Sequence, residues 1–234
     1  MSVFFDSFIT YKANLQFGVY TVLPVTNEHY VLLTTASSVD RLNDTMATII
    51  TKELVPSANP GYSRFNVGSQ LSTGFVYNTS TQNATLAVTV GLTPTSTAIA
   101  FQTAVLIGNG DATSSQTVGS VNTGTGVVTL NAHGYSNGQN LVFFANSGGS
   151  LPGGISANTL YVVANVTTNT FTLTTTSGSA VSFTSAGSNF QAGSANGYLI
   201  NYNVFSSIQT VQPNVTFDIT FDFADYNGAY GSGI

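Results

Sequence analysis

Val215-Thr216-Phe217-Asp218-Ile219-Thr220-Phe221-Asp222-Phe223 is the stretch on which the fold turns. Its apolar residues fall at 215, 217, 219, 221 and 223. Thr216, Asp218, Thr220 and Asp222 fall between them. Successive side chains of a strand point to opposite faces, so this spacing predicts one buried face and one solvated face. Working outward, Asn83 to Val90 repeats the pattern, with Ala84, Leu86, Val88 and Val90 on one side. Tyr198 to Phe205, Leu15 to Leu23, Tyr62 to Val67 and Phe75 to Tyr77 also read as strands. His29 to Thr35 is a short apolar run, best read as a buried strand. Ile99 to Ile107 is β-rich and ends at Gly108-Asn109-Gly110, a strong turn signal. Short, closely spaced, turn-bounded strands predict an all-β chain, mainly antiparallel β-sandwiches.

One segment departs from this pattern. Of four basic and nine acidic residues, five lie between Asp40 and Glu53. Val39, Leu42, Met46, Ile49 and Ile50 recur at helical spacing, with Ser37 or Ser38 as cap and Asp40 in the first turn. The spacing predicts one helix over about 38–54, packed on a sheet, with Arg41, Asp44, Thr48 and Lys52 toward water. Pro56 and Asn59-Pro60-Gly61 stop it.

Composition then narrows the function. The chain has 234 residues, a net charge of -5, 42% hydrophobic residues and only 6% charged ones. Ser, Thr, Asn and Gly supply close to half of it, so hydroxyls and amides must solvate the surface. Four basic side chains neutralise few phosphates, so no nucleic-acid partner is expected. No polybasic patch and no 18-residue apolar run exists, so no membrane partner is expected either. With two His and no Cys, thiolate, iron–sulfur and multi-histidine zinc sites are excluded. Absence of cysteine suits assembly in a reducing cytoplasm. Met1 to Ile9 has no basic leader, and Asp6 interrupts its apolar run, so a secretory signal is not expected.

From Ala112 to Phe217 there is no Lys, Arg, Asp or Glu. That composition step predicts an inserted unit. Within it, Gly126 to Asn131, Leu141 to Ala145, Thr159 to Asn165, Asn169 to Thr175 and Val181 to Thr184 read as strands. Asn137-Gly138 is a hairpin-type turn. The expected organisation is a discontinuous domain over 1–112 plus 190–234, carrying the helix, and a small β domain over 113–189. The strand ending at Ile107 would pair with the one starting at Tyr198, since a hairpin loop tolerates insertion.

The string Val127-Val128-Thr129-Leu130-Asn131-Ala132-His133-Gly134-Tyr135-Ser136-Asn137-Gly138 resembles a β-module recurrent in bacteriophage virion proteins. Leu151-Pro152-Gly153-Gly154, Leu160-Tyr161-Val162-Val163 and Asn169-Thr170-Phe171-Thr172-Leu173 continue the resemblance, which covers about a third of the chain. The flanks resemble phage capsid cement or decoration proteins more softly, through Tyr30 to Ala36, Gly61-Tyr62-Ser63-Arg64, Gly197 to Ile200 and Val211 to Phe217. The resemblance implies a virion structural protein on the capsid exterior, made in the host cytoplasm. Its implied partners are the major capsid protein and itself, as homo-trimer or homo-dimer. It carries over no catalytic residue and no cofactor.

His133 belongs to the module turn, where its ring is expected to hydrogen-bond backbone. Glu28-His29 reads as a loop entering a strand. Asp218, Asp222 and Asp225 could offer oxygens to Ca²⁺, but match no EF-hand spacing; they read as a solvated, charge-protected strand. No catalytic, metal or cofactor residue is therefore expected. The apolar ends are less ordinary, because termini are normally polar. Phe4, Phe5, Phe8 and Tyr11 at the start, and Tyr226 and Tyr230 near the end, are candidate interface residues; completion of the chain's own sandwich is the competing reading. The leading expectation is a capsid cement protein. A tail or fibre protein adhering to the host surface is the alternative. A polysaccharide hydrolase would need paired carboxylates across a groove, and none pairs recognisably.

Overall fold

The computed structural model describes residues 2–4, 28–40, 42–78, 83–91, 98–108 and 110–223. The strands, in chain order, are β1 (Ser2–Phe4), β2 (Tyr30–Thr34), β3 (Phe65–Asn66), β4 (Phe75–Asn78), β5 (Asn83–Gly91), β6 (Ile99–Gly108), β7 (Gln116–Thr117), β8 (Ser120–Asn122), β9 (Val127–Thr129), β10 (Asn140–Ser150), β11 (Tyr161–Ala164), β12 (Thr170–Thr175), β13 (Ser188–Ser194), β14 (Tyr198–Val211) and β15 (Thr216–Asp222). Every pairing among them is antiparallel, so the chain is all-β as expected. The expected strand over Leu15 to Leu23 lies outside the described residues.

The chain divides into two compact units. The first takes the described residues of Met1–Thr45, Asn59–Ala112 and Gly197–Ile234. It holds a five-stranded sheet, ordered β1-β14-β6-β2-β3, and a three-stranded sheet, ordered β15-β5-β4. β15 realises the alternation of the deciding stretch: Ile219 and Phe221 are buried, while Thr216, Asp218 and Thr220 are exposed. Leu86, Val88 and Val90 of β5 are buried beside it. Three rings tie the two sheets together. Phe101 of β6 meets Phe205 of β14 at 5.5 Å and Phe217 of β15 at 5.4 Å, edge to face in both cases. Phe205 and Phe217 close the triangle at 5.6 Å. Such T-shaped pairs add to the burial of their apolar area. The register of β14 against β6 breaks between Val204 and Gln209, which places Phe205 in that cluster.

Asparagines make a second join. Asn201 Nδ2 donates to Asp222 O at 2.9 Å, and Asn203 Nδ2 donates to Thr220 O at 2.8 Å. Side chains of β14 thus satisfy carbonyls of β15, a strand whose only ladder partner among the described residues is β5. At the other side of the five-stranded sheet, β3 covers only Tyr30 and Val31 of β2. Beyond its end the buried Tyr62 hydroxyl accepts the Leu33 N–H at 3.0 Å.

The second unit takes Met46–Ala58 and Thr113–Asn196. Its sheet runs β7-β13-β10-β11-β12-β9-β8. β7 and β8 are successive parts of one segment: Gln116 and Thr117 pair with β13, and Ser120 to Asn122 pair with β9. Val118 N donates to Phe190 O, and Gly119 N to Thr129 O, at the crossover. The two ends of the sheet are therefore joined by a single segment, and the sheet closes on itself, which removes its open edges. One cluster fills it, including Val121, Val128, Leu141, Phe143, Phe171 and Leu173. At Asn137-Gly138 the expected turn forms, with Gly138 at φ +85°, a region that favours glycine.

Several expectations need correction. Helix is confined to Met46–Ile50, with a further single turn at Leu71–Gly74, among the described residues. Ahead of it, Asp40 Oδ1 accepts the N–H of Leu42 and of Asn43, and Asp44 Oδ2 accepts the N–H of Asp40. These side-chain bonds offer the backbone an alternative to helix. Leu42 is consequently exposed, and Asp44 is buried rather than solvated. The helix also groups with the inserted unit, and does not belong to the outer domain. On the return side, the inserted unit runs to Asn196 and not to 189, because β13 pairs with β10 and β7. Val181 to Thr184 makes no ladder: Val181 N bonds Leu173 O, while Thr184 N bonds Gly153 O.

Candidate functional site

The insertion point follows from strand register. Tyr198 pairs with Gly108 and Leu199 with Ile107, so the two chain ends that carry the inserted segment lie side by side on the sheet of the first unit. This is the geometry of a hairpin whose loop has been replaced by a folded unit. The N-terminal strand β1 joins the same sheet: Ser2 pairs with Asn203, Val3 with Tyr202 and Phe4 with Asn201. Of the candidate interface residues, the backbone of Phe4 is therefore an edge-strand position. Phe5, Phe8, Tyr11, Tyr226 and Tyr230 lie outside the described residues.

His133 is 2% exposed. Its Nδ1 accepts the Tyr135 N–H at 2.9 Å, which leaves the ring hydrogen of the neutral form on Nε2. The ring stacks on Tyr135 at 5.1 Å and meets Phe171 edge-on at 5.1 Å. Its backbone O accepts from Gln116 Nε2. The turn bond expected from the sequence is present, and the ring sits inside the inserted unit's core.

The acids are dispersed. Glu28 is exposed, and its backbone O accepts the Gly110 N–H. His29 is half-buried and its backbone O accepts the Val67 N–H. Asp218 is exposed and accepts the Thr89 hydroxyl at 2.6 Å across β15 and β5. Asp225 lies outside the described residues. Among the described residues no group of three His, Cys, Asp or Glu could hold a metal ion. No helix among them is long and apolar enough to cross a membrane.

Two features were not foreseen. Arg64 is buried, and its Nη1 lies 3.4 Å from Asp111 O and 3.8 Å from Asp111 Oδ1. It anchors the segment that leaves β6 toward the insertion. The second is an open depression of about 390 Å³ on the inserted unit, lined by residues that include Pro56, Ser57, Ser115, Thr117, Leu130 and Asn131. In a chain this rich in Ser and Thr, no spacing marks those hydroxyls in advance. No family model, curated protein or solved structure matches the chain.

Proposed function

We propose that the protein is a bacteriophage virion structural protein that binds the outside of the capsid and cements it, with the major capsid protein and further copies of itself as partners. The observation that carries this reading is the segment with the phage-module motifs, which forms a compact closed β unit spliced into a hairpin of an outer β domain. That arrangement suits a module added to a protein whose own sheets do the attaching.

The chemistry of the surface supports the same reading. From Ala112 to Phe217 no charged side chain occurs, and the charged fraction of the whole chain is 6%. Such a surface buries against neighbours without the cost of desolvating ions. Repetition over a symmetric lattice turns weak contacts into strong attachment. Trimers or dimers on local symmetry axes follow the usual preference for closed symmetry. The backbone of Ser2–Phe4 forms one edge of the five-stranded sheet among the described residues.

Copy number tests the reading. Quantitative mass spectrometry of purified particles should find the chain at a stoichiometry tied to the major capsid protein. A handful of copies per particle would move it to the tail or a fibre, and absence from particles would end the reading. Deletion of the first ten residues should reduce attachment to heads. Unchanged attachment would remove the N-terminal aromatics from the interface.

A further inference from the structure

Asparagine precedes glycine at Asn109-Gly110, Asn137-Gly138, Asn196-Gly197 and Asn227-Gly228. Glycine has no Cβ, so its backbone nitrogen is open to attack on the side chain of the asparagine before it. That nitrogen is a nucleophile only once its hydrogen is released, and a hydrogen bond holds the hydrogen in place. Gly110 N donates to Glu28 O at 3.0 Å, and Gly138 N donates to Val163 O at 2.9 Å. Gly228 lies outside the described residues. Gly197 N makes no hydrogen bond among the described residues. Asn196 itself is half-buried, so water reaches it. Its Oδ1 accepts the Asn140 N–H at 2.9 Å, and no described group engages its Nδ2.

We propose that Asn196 is a modification site, converted without an enzyme to a mixture of aspartate and isoaspartate, while the fold shields Asn109 and Asn137. Solvent hydroxide takes the Gly197 N–H proton, and the nitrogen attacks Asn196 Cγ. Negative charge develops on Oδ1, where the Asn140 N–H already donates. The new N–Cγ bond forms as the Cγ–Nδ2 bond breaks, and the amide nitrogen leaves as ammonia with a proton from water. Water then opens the cyclic imide at one carbonyl or the other. One opening leaves aspartate; the other leaves isoaspartate, with Cγ in the main chain. Either product puts a carboxylate into the stretch from Ala112 to Phe217, which has no charged side chain. Isoaspartate also lengthens the main chain by a methylene at Asn196, the last residue of the inserted unit. This goes beyond the capsid reading and stands or falls separately from it.

The test is a timed incubation of the full chain in warm, mildly alkaline buffer. Samples are cut briefly with chymotrypsin, which frees the stretch from Gln191 to Tyr198 by cleavage after Phe190 and Tyr198. Fragmentation mass spectrometry then reads amide against acid at each asparagine, and an isoaspartyl methyltransferase labels the isoaspartate. Asn196 should convert at least about fivefold faster than Asn109 or Asn137, the factor that one net hydrogen bond is worth. Its product should contain both aspartate and isoaspartate. The same incubation in urea removes the bonds on Gly110 and Gly138, so the three rates should converge there. Conversion of Asn109 or Asn137 as fast as Asn196 in the folded chain would overturn the proposal. So would aspartate with no isoaspartate, or rates in urea that keep the folded ranking.

Discussion

Gly193→Ala is the perturbation that probes the inserted unit most sharply. Gly193 lies in β13, opposite Val142 of β10. A Cβ placed there would sit 2.5 Å from Ile50 Cγ2 and 2.5 Å from Ser115 Oγ. Ordinary carbon contacts are about 3.5–4.0 Å, so the methyl intrudes by roughly 1 Å on a side chain of the helix Met46–Ile50. Overpacking of this size costs about 1–3 kcal/mol. Ile50 is itself buried, and Ile50→Ala alone should cost about 2–5 kcal/mol through lost burial and a cavity. In the double variant the new methyl enters the space that Ile50 vacates. The two costs should then fall short of their sum by at least about 1 kcal/mol, the signature of residues in contact. A chain of two units need not unfold in one step, so the readout must be specific to one of them. Amide hydrogen exchange of Leu141, Val142 and Phe143 under increasing urea provides it, since these residues lie in β10. Strict additivity, within about 0.5 kcal/mol, would refute the placement of Met46–Ala58 on β13 and with it the composition of the inserted unit.

Three further outcomes follow from single contacts. Tyr62→Phe removes the acceptor of the Leu33 N–H and should destabilise the first unit by about 1–2 kcal/mol, read from slowed-exchange amides of β2 and β6, while β10 to β12 keep their protection. Asn201→Ala deletes the bond to Asp222 O and the acceptor at 2.6 Å from Tyr202 N; a cost of about 2–3 kcal/mol is expected in urea unfolding, and a change under 0.5 kcal/mol would show that the amide join between the sheets is idle. His133→Ala strips a ring packed on Tyr135 and Phe171 and leaves the Tyr135 N–H unpaired, so the inserted unit should lose about 3 kcal/mol; His133→Asn, which restores an acceptor two residues back, should recover about 1 kcal/mol of it in the same measurement.

What was legible in the sequence follows from how local each signal is. In Val215 to Phe223 the alternation of side chains is a property of the strand itself, and β15 appears over Thr216–Asp222 with Ile219 and Phe221 of the expected face buried, Phe217 and Phe223 half-buried, and Val215, just before the strand, exposed. The hairpin around the insertion was legible for the same reason, since β6 and the start of β14 are strongly apolar. β13 was not. Ser188-Asn189-Phe190-Gln191-Ala192-Gly193-Ser194 holds one large apolar residue, and the burial of Gln191 and Ser194 comes from the strands around them. The closing segment from Gln116 to Asn122 was hidden likewise, by hydroxyls and by Gly119 at its crossover. Helical spacing over Val39 to Ile50 was real, but Asp40 and Asp44 spend their carboxylates on neighbouring N–H groups, a competition that periodicity does not register. The open depression draws on residues from 56–57, 115–119 and 130–131, which only the fold brings together.

Add-back to heads is the most direct trial of the whole account. Particles made without this chain should be incubated with the purified protein, pelleted, and heated in parallel with untreated ones. Attachment through uncharged surface predicts that the protein sediments with the heads, that molar salt does not strip it, and that the loaded heads release their genome at a higher temperature. A protein left in the supernatant, or bound heads that open no later than bare ones, would contradict it.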